Sequence, residues 1–145
     1  MDVYLVNPEG GTSWQDRNRK SDTDQYMYPY SLIYLMNYLS LHGIPSRMFD
    51  LYYENPEILM ECCREAKNPI VGVTAQTYNR DGTIERIRKI KAVSPDTRIV
   101  VGGKHFTYCA EESLRHIPEI DIVVRGEGEI TFHEVIEALR DNKPL

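Results

Sequence analysis

The sequence predicts an α/β domain built on a doubly wound sheet of five parallel strands in the order 2-1-3-4-5, with helices on both faces. The first observation is alternation, because short β-rich or apolar runs are followed five times by segments with helical apolar spacing. The second is the run PIVGVTA at residues 69–75, which is an unbroken apolar run of the kind found in strands buried on both faces.

The first strand and helix are predicted at residues 2–7, ending before Pro8, and from about Pro29 to Gly43. The polar segment between them, residues 9–25, is long for a loop in a compact domain, which favours a functional or mobile stretch. Apolar residues on both faces of the first helix predict that it is well buried: Leu32, Leu35, Met36 and Leu39 on one face, and Ile33, Tyr34 and Tyr38 on the other.

The second strand is predicted at residues 46–51. Asn55 and Pro56 are suited to the N-cap and the first position of the second helix. The inner stripe of this helix is expected to contain Leu59, Cys62, Cys63 and Ala66.

After strand three comes a helix at residues 79–93, which turns three isoleucines inward and three basic residues outward: Ile84, Ile87 and Ile90, and Arg86, Arg88 and Lys89. Strands four and five are expected at residues 97–103 and 121–125, with a short helix around residues 109–115 between them. The last helix carries an apolar stripe of Phe132, Val135, Ile136 and Leu139.

Length and composition limit the classes of protein. A chain of 145 residues, 41% of them hydrophobic, predicts a single domain over residues 1–145. The chain has no apolar run long enough for a bilayer and no secretory signal, and its net charge of −5 argues against a nucleic-acid partner. Cys62, Cys63 and Cys109 make no disulfide framework, so we expect reduced thiols in a cytoplasmic protein. The ending DNKPL resembles a linker and predicts a fragment of a longer protein.

In this flavodoxin-like variant of the Rossmann-like architecture, ligands bind beyond the C-terminal strand ends, at the switch between strands one and three. The loops of interest therefore follow Asn7, Thr74, Gly102 and Arg125. The loop after strand one contains GGTS at residues 10–13, which is too weak an echo of a flavodoxin phosphate loop to carry a prediction. A response-regulator receiver is excluded because it needs acidic residues where this chain has Asn-Pro and Thr-Ala-Gln.

The stretch RGEGEITF, residues 125–132, follows strand five and resembles a dinucleotide-phosphate loop. It fails as one because it follows the last strand, has Thr131 in place of the third glycine, and carries two glutamates that repel a pyrophosphate. The alternative is structural: the glycines make a tight turn, and Glu127 and Glu129 complement a helix dipole. Thr131 and Glu134 also have the spacing of a capping box.

The loop after strand four begins with Gly102 and Gly103, which allow a bulky flat ligand to approach the backbone closely. His105 is suited to bind a ligand or to be an exposed or locally satisfied side chain. Lys104 is suited to meet an anionic group or to be solvated.

Four features in this order resemble the N-terminal cobalamin-binding domain of cobalamin-dependent radical S-adenosylmethionine enzymes. They are the Asn7-Pro8 corner, the segment at residues 29–51, the GGKH turn at residues 102–105 and IDIVVRGEGE at residues 120–129. The combination is fairly specific, although neither of the last two features is so alone. The resemblance covers nearly the whole chain, least well at residues 9–25.

The resemblance implies cobalamin as the cofactor, with its dimethylbenzimidazole tail entering between strands one and three and its corrin lying across the strand ends. Thr74 matches the residue that contacts the tail, and Gly102 and Gly103 match the lining of its channel, with Val73 and Val101 as apolar neighbours. On the corrin side, Gly126 and Gly128 border the ring and Glu127 accepts hydrogen bonds from its amides. The remaining cofactor-binding residues implied are Asn7, Pro8, Ala75, Gln76, Thr77, Lys104 and His105.

The resemblance further implies that a catalytic barrel follows in the same polypeptide and performs methyl transfer or other radical chemistry. That barrel would hold a 4Fe–4S cluster and S-adenosylmethionine, which this fragment does not bind because its cysteines lack the Cys-x3-Cys-x2-Cys spacing. The chain also lacks the Asp-x-His-x-x-Gly motif after strand one. Radical enzymes of the resembled class commonly lack this motif too, so the resemblance implies that cobalamin binds with its own base displaced and with no protein imidazole on cobalt.

Two alternatives remain from the sequence. The domain could keep this fold without cobalamin and serve as a structural or interaction domain, whose third helix offers a basic face to RNA or is simply solvated: Arg80, Arg86, Arg88, Lys89 and Lys91, with Glu85 and Lys89 as a helical ion pair. It could also be a flavin or nucleotide binder, although it has no phosphate loop. The aromatic residues Trp14, Tyr26, Tyr28 and Tyr78 would wall the corrin or pack under the long loop.

Overall fold

A computed structural model of the chain describes residues 1–8 and 28–145. The expectations for the polar segment at residues 9–25, for GGTS at residues 10–13, and for Trp14 and Tyr26 lie outside the described residues.

The described residues form one sheet of five parallel strands in the order β2-β1-β3-β4-β5, which confirms the predicted fold class. The strands are β1 (Val3–Asn7), β2 (Arg47–Asp50), β3 (Ile70–Thr74), β4 (Arg98–Gly102) and β5 (Ile122–Val123). Each lies within the range predicted for it. The edge strand β5 is reduced to two residues, which pair with Val100 and Val101.

Six helices connect and flank the strands in the described part of the chain. They are α1 (Tyr30–Leu41), α2 (Pro56–Glu65), α3 (Arg80–Val93), α4 (Lys104–Tyr108), α5 (Ala110–His116) and α6 (Glu129–Arg140). A 3₁₀ turn, Thr77–Asn79, leads into α3. The single short helix predicted after strand four is thus two helices, and Lys104 and His105 belong to the first of them rather than to a loop.

The sheet separates two hydrophobic layers, because side chains alternate between its faces along each strand. On one face, Val71, Val73, Ile99 and Val101 pack with α2, α3 and α4. On the other face, Ile70 and Val100 pack with α1 and α6. The same alternation directs Gly72, Thr74 and Gly102 toward α1 and α6.

The N-terminal cap predicted for α2 is confirmed, and the one predicted for α6 is not. Asn55 caps α2 as predicted, since its side-chain oxygen accepts a hydrogen bond of 3.0 Å from the backbone N–H of Glu57. The capping box predicted at Thr131 and Glu134 is wrong. The helix already begins at Glu129, so Thr131 lies inside its first turn, and Gly128 at the N-cap makes no side-chain cap.

Helix α1 is less buried than its apolar residues predicted. Leu32 and Leu39 are buried as expected, but Tyr34 is 66% exposed and Ile33 and Tyr38 are only half-buried. The correction has a simple cause. The helix covers one face of an open sheet, so its outer side meets solvent, and the aromatic ring of an exposed tyrosine is tolerated there.

The basic outer face predicted for α3 is also corrected. Arg86 is buried rather than outward. Lys91 turns to the sheet edge, where its Nζ lies 2.8 Å from Asp121 Oδ2. Arg88 and Lys89 are exposed as predicted, but they pair with Glu119 at 3.5 Å and with Glu85 at 2.7 Å, the second being the predicted helical pair. Local carboxylates therefore neutralise this surface, which leaves little attraction for a polyanion.

The three cysteines are free thiols, and burial raises the pKa of Cys63 to about 12. None of the helices in the described ranges is long and apolar enough to cross a membrane.

Candidate functional site

A groove opens at the C-terminal ends of β3 and β4, on the face of the sheet that α1 and α6 cover. It encloses about 630 Å³ including its open mouth. Its lining comes from the two strands, the first turns of the two helices and the loop before α6: Ser31, Leu32, Leu35, Gly72, Val73, Thr74, Val100, Val101, Gly102, Gly103, Val124, Gly126, Glu127, Gly128, Glu129 and Phe132.

A missing side chain at the end of β4 helps to explain why a groove exists here. Thr74 pairs with Gly102, which leaves space on the α1/α6 face, whereas the space over Gly72, which pairs with Val100, is filled by the Phe132 ring. A Cβ added at Gly102 would meet only the Val124 backbone oxygen, at 3.7 Å. Val73 and Val101 border the groove, but their side chains pack in the opposite layer.

Gly103 has a different role from its neighbour. Its φ of 89° and ψ of 175° belong to a region that residues with a Cβ avoid. A Cβ there would lie 2.6 Å from the Ala75 oxygen and 2.7 Å from Thr74 Oγ1. The corner after β4 therefore packs directly on the corner after β3, and the backbone N–H of His105 donates to the Ala75 oxygen at 3.3 Å. This close approach holds Thr74 beside the groove.

The outer wall is the loop between β5 and α6, which contains the GEGE sequence. The Val124 backbone N–H donates to the Val101 oxygen at 2.8 Å, and the Gly126 N–H donates to Thr107 Oγ1 at 3.1 Å. Gly126 has a φ of 73°, and no atom lies within 4 Å of the position its Cβ would take. The tight glycine turn predicted here is confirmed, and it presents open backbone to the groove.

Polar groups line only the mouth of the groove. Ser31 and Glu127 are exposed, and Thr74 and Glu129 are half-buried, whereas the inner apolar side chains are buried. Glu129 lies in the first turn of α6, where its carboxylate complements the helix dipole as predicted. Among the described lining residues there is no lysine or arginine, so a phosphate-cradle function for this loop has no support.

Six of the thirteen predicted site residues are brought together in the groove: Thr74, Gly102, Gly103, Gly126, Glu127 and Gly128. The other seven lie on the same edge of the sheet but do not line it. Asn7 ends β1 and donates to Asp50 Oδ1 at 3.0 Å, with Pro8 beside it. Ala75, Gln76 and Thr77 form the corner that leads into the 3₁₀ turn, and Gln76 forms a reciprocal cap with Asn79.

Lys104 and His105 lie in the first turn of α4, away from the groove. Lys104 is exposed. Burial lowers the pKa of His105 below its usual value, and the nearby Arg80 guanidinium lowers it further. The ring packs edge-on against Phe106 at a centroid distance of 5.4 Å, so His105 is a locally packed side chain.

The sequence missed the helical half of the groove. Leu32, Leu35 and Phe132 were predicted as core residues, and Ser31, Val124 and Glu129 were not assigned to a site. The groove also lies over β3 and β4, one strand away from the switch between β1 and β3 where the strand order placed the ligand. Gly72 was the available signal, because an interior strand glycine two residues before Thr74 shares its face.

Comparison with known proteins identifies the kind of domain. The family model described as "B12 binding domain" matches residues 21–136. A stretch of 76 residues, 52% of the chain, is 40% identical to an uncharacterized methyltransferase of Pyrococcus horikoshii. The anaerobic magnesium-protoporphyrin IX monomethyl ester cyclase of Rubrivivax gelatinosus is 32% identical over 117 residues, 77% of the chain. The chain spans only 17% and 20% of these two relatives, respectively.

A solved structure shows the same fold. The adenylate cyclase from Rhodopirellula baltica superposes with a TM-score of 0.54 over 97% of this chain and 95% of that one. The two sequences are 13% identical, so the likeness concerns the arrangement of strands and helices alone.

Proposed function

The chain belongs to the B12-binding domain family, and from this premise we propose that it binds cobalamin, with the nucleotide tail in the groove over β3 and β4. The corrin ring then lies across the C-terminal strand ends, next to the glycine loop. This differs from the position expected from the strand order, since the tail runs beside β3 on the side of β4.

The shape and chemistry of the groove carry the proposal. A dimethylbenzimidazole group is flat, aromatic and mostly apolar. The inner groove offers it Leu32, Val100 and Val124, each buried, together with the Phe132 ring that covers Gly72 and the bare backbone of Gly102. A groove whose described residues include no basic side chain and give this apolar lining suits an aromatic base better than a dinucleotide phosphate.

Each polar residue of the groove has a defined part in this proposal. The Thr74 hydroxyl lies at the strand end, where it is positioned to hydrogen-bond the tail. Gly126 and Gly128 bring the backbone close to the corrin, since no side chain intervenes. The exposed Glu127 carboxylate accepts hydrogen bonds from corrin amides. Asn7, Pro8, Ala75, Gln76, Thr77, Lys104 and His105 lie at the same sheet edge but do not line the groove, so the proposal gives them no contact with the tail.

We infer further that no imidazole of this chain reaches cobalt from the loop after β1. The four histidines are His42, His105, His116 and His133, so the segment at residues 8–28 contains none. None of the four lines the groove. Cobalamin, when bound, supplies a cobalt ion that can carry a methyl group or take part in radical chemistry. The residues of this chain would hold the displaced base and exclude water from it.

The proposal extends to the parent protein, which we take to be a cytoplasmic radical S-adenosylmethionine enzyme. The printed names of the relatives, a methyltransferase and a cyclase, support an enzyme that modifies a substrate outside this domain. The barrel of that enzyme would contribute the 4Fe–4S cluster and S-adenosylmethionine, and this chain would contribute cobalamin. The small share of each relative that the chain spans supports such a division of labour.

The proposal is tested by titrating the chain with hydroxocobalamin, desalting it and recording a visible spectrum. We expect corrin to be retained with a base-off spectrum. Gly102→Val should abolish retention, because its side chain would enter the groove and meet only the Val124 oxygen near its Cβ. Gly103→Val is unsuitable, since a side chain there collides with Ala75 and would damage the fold.

Ala92→Val is the control, because it also creates a valine, at an exposed position of α3 on the opposite face. It should retain corrin like the unsubstituted chain. Loss of corrin from all three proteins contradicts the proposal and favours a structural or interaction domain without cobalamin. A yellow protein with flavin absorption after purification favours a flavin binder instead.

A further inference from the structure

We propose that the groove selects the base of the cobamide tail, admitting a compact apolar base of the benzimidazole type and rejecting a purine, with Phe132 as the residue that limits its depth. This inference rests on the proposed function, because it concerns the tail of a corrin cofactor bound in that groove.

Phe132 closes the inner end of the groove. Its ring lies against Gly72, where an added Cβ would meet Phe132 Cζ at 3.0 Å and Leu5 Cδ2 at 3.2 Å. Both Phe132 and Gly72 line the groove, and Phe132 is only 3% exposed. The ring therefore fills the space that a side chain at position 72 would take, and the groove ends on it.

Both the backbone and the surroundings of Phe132 are ordered. Its backbone N–H donates to the Gly128 oxygen at 2.7 Å, which fixes the first turn of α6. Behind it lies the hydrophobic layer that contains Leu5, Val135 and Ile136. A ligand longer than the groove would have to displace a packed aromatic ring, so the depth is a property of the fold and not of a mobile side chain.

The inner walls of the groove favour an apolar base over a polar one. Leu32, Val100 and Val124 are 4%, 2% and 6% exposed, whereas the polar lining residues lie at the mouth. Thr74 supplies one hydroxyl near the strand end. An adenine base carries an amine and several ring nitrogens, and one hydroxyl cannot satisfy them all. Burying the remainder without partners makes a purine tail unfavourable, while a benzimidazole loses little.

Equilibrium dialysis of the chain against three corrins tests the selection. They are cobalamin, cobinamide, which lacks the nucleotide tail, and the cobamide whose tail carries adenine. We expect cobalamin to bind at least about ten-fold more tightly than either of the others. Equal affinity for all three overturns the inference but leaves the proposed function intact. If none of the three binds, the proposed function fails as well, so the two failures are distinguishable.

Phe132→Ala tests the depth limit with a cobamide whose naphthimidazole base is one ring longer. We expect its affinity relative to cobalamin to rise by about three-fold or more, because the space left by the ring accepts the extra ring. Ile136→Ala is the control, since Ile136 is fully buried in the same layer and helix but does not line the groove. Phe132→Leu repeats the test if Phe132→Ala does not fold. An unchanged ratio in a folded Phe132 variant, or the same rise in the control, overturns the role of Phe132.

Discussion

The two faces of the sheet use the same strands in opposite ways. Along β3 and β4, the α2/α3 face carries Val71, Val73, Ile99 and Val101, all at most 2% exposed. The α1/α6 face has two glycines among the alternate positions: the Phe132 ring covers Gly72, and the groove lies above Gly102. Adjacent residues of one strand therefore face a close-packed layer on one side of the sheet and a groove with space for a ligand on the other.

The difference suggests that stability and function are divided between the faces. Close packing on the α2/α3 face makes each side chain there costly to remove. On the α1/α6 face, the C-terminal strand ends are already open, so changes there should alter binding more than stability. Four predictions test this division, in order of decreasing effect.

The largest effect is expected for Phe106→Ala on the packed face. Phe106 is fully buried, and its loss should lower the free energy of unfolding by about 3–5 kcal/mol. Leu35→Ala removes a half-buried wall of the groove and should cost about 1 kcal/mol. Urea denaturation of both variants measures the difference. Equal losses would mean that the two faces contribute alike.

The adjacent glycines Gly102 and Gly103 allow close packing and open groove to be compared within the single corner that follows β4. Gly103→Ala should lower the free energy of unfolding by about 1–3 kcal/mol, because its backbone conformation excludes a Cβ. The collision with the Ala75 oxygen adds to this loss. Gly102→Ala should change stability by less than about 0.5 kcal/mol, since its Cβ enters the groove. A stable Gly103→Ala protein would contradict the proposed corner packing.

These two glycines also show how much of the site could be predicted from the sequence. Their place after an apolar strand predicted that a ligand can approach the backbone closely, and strand alternation with β-rich runs predicted the sheet order. The sequence could not separate their roles, because one glycine is required by a contact with Ala75, which lies 28 positions earlier in the chain. Such contacts depend on how two corners pack and leave no local pattern.

The helical wall of the groove was hidden for a related reason. Leu35 and Phe132 have the spacing of core residues, and periodicity alone does not tell whether an apolar side chain faces protein or a cavity. The prediction that Arg86 points outward was wrong. Basic residues are usually solvated, and only the tertiary structure reveals that this position on α3 is covered. The segment at residues 9–25 was predicted to be functional or mobile, and that stays a prediction.

The third prediction concerns the tether of the outer groove wall. With two paired residues, β5 depends on Asp121, whose carboxylate accepts from the Ile99 N–H at 2.7 Å and from Lys91 and Arg98 at 2.8 and 3.2 Å. Asp121→Asn should lower the free energy of unfolding by about 1 kcal/mol, as the charge-assisted bonds weaken. Amide exchange at Val124 should accelerate with it. Asp141→Asn, at an exposed pair with Lys143, is the control and should leave both unchanged.

The smallest effects are expected for the two glutamates of the glycine loop. They compare a residue that stabilises the fold with one that binds the ligand, both on the groove face. Glu129 lies in the first turn of α6, so Glu129→Gln removes a charge that complements the helix dipole and should cost about 0.3–1 kcal/mol of stability. The exposed Glu127 precedes the helix, so Glu127→Gln should leave the unfolding midpoint unchanged. It should nevertheless weaken cobalamin retention by about three- to ten-fold, because a neutral amide accepts hydrogen bonds less strongly than a carboxylate.

Denaturation and dialysis on both variants distinguish the roles of the two glutamates. If Glu127→Gln lost stability while keeping its affinity for cobalamin, both glutamates would serve the helix, and the corrin amides would have to find their acceptor elsewhere on the rim.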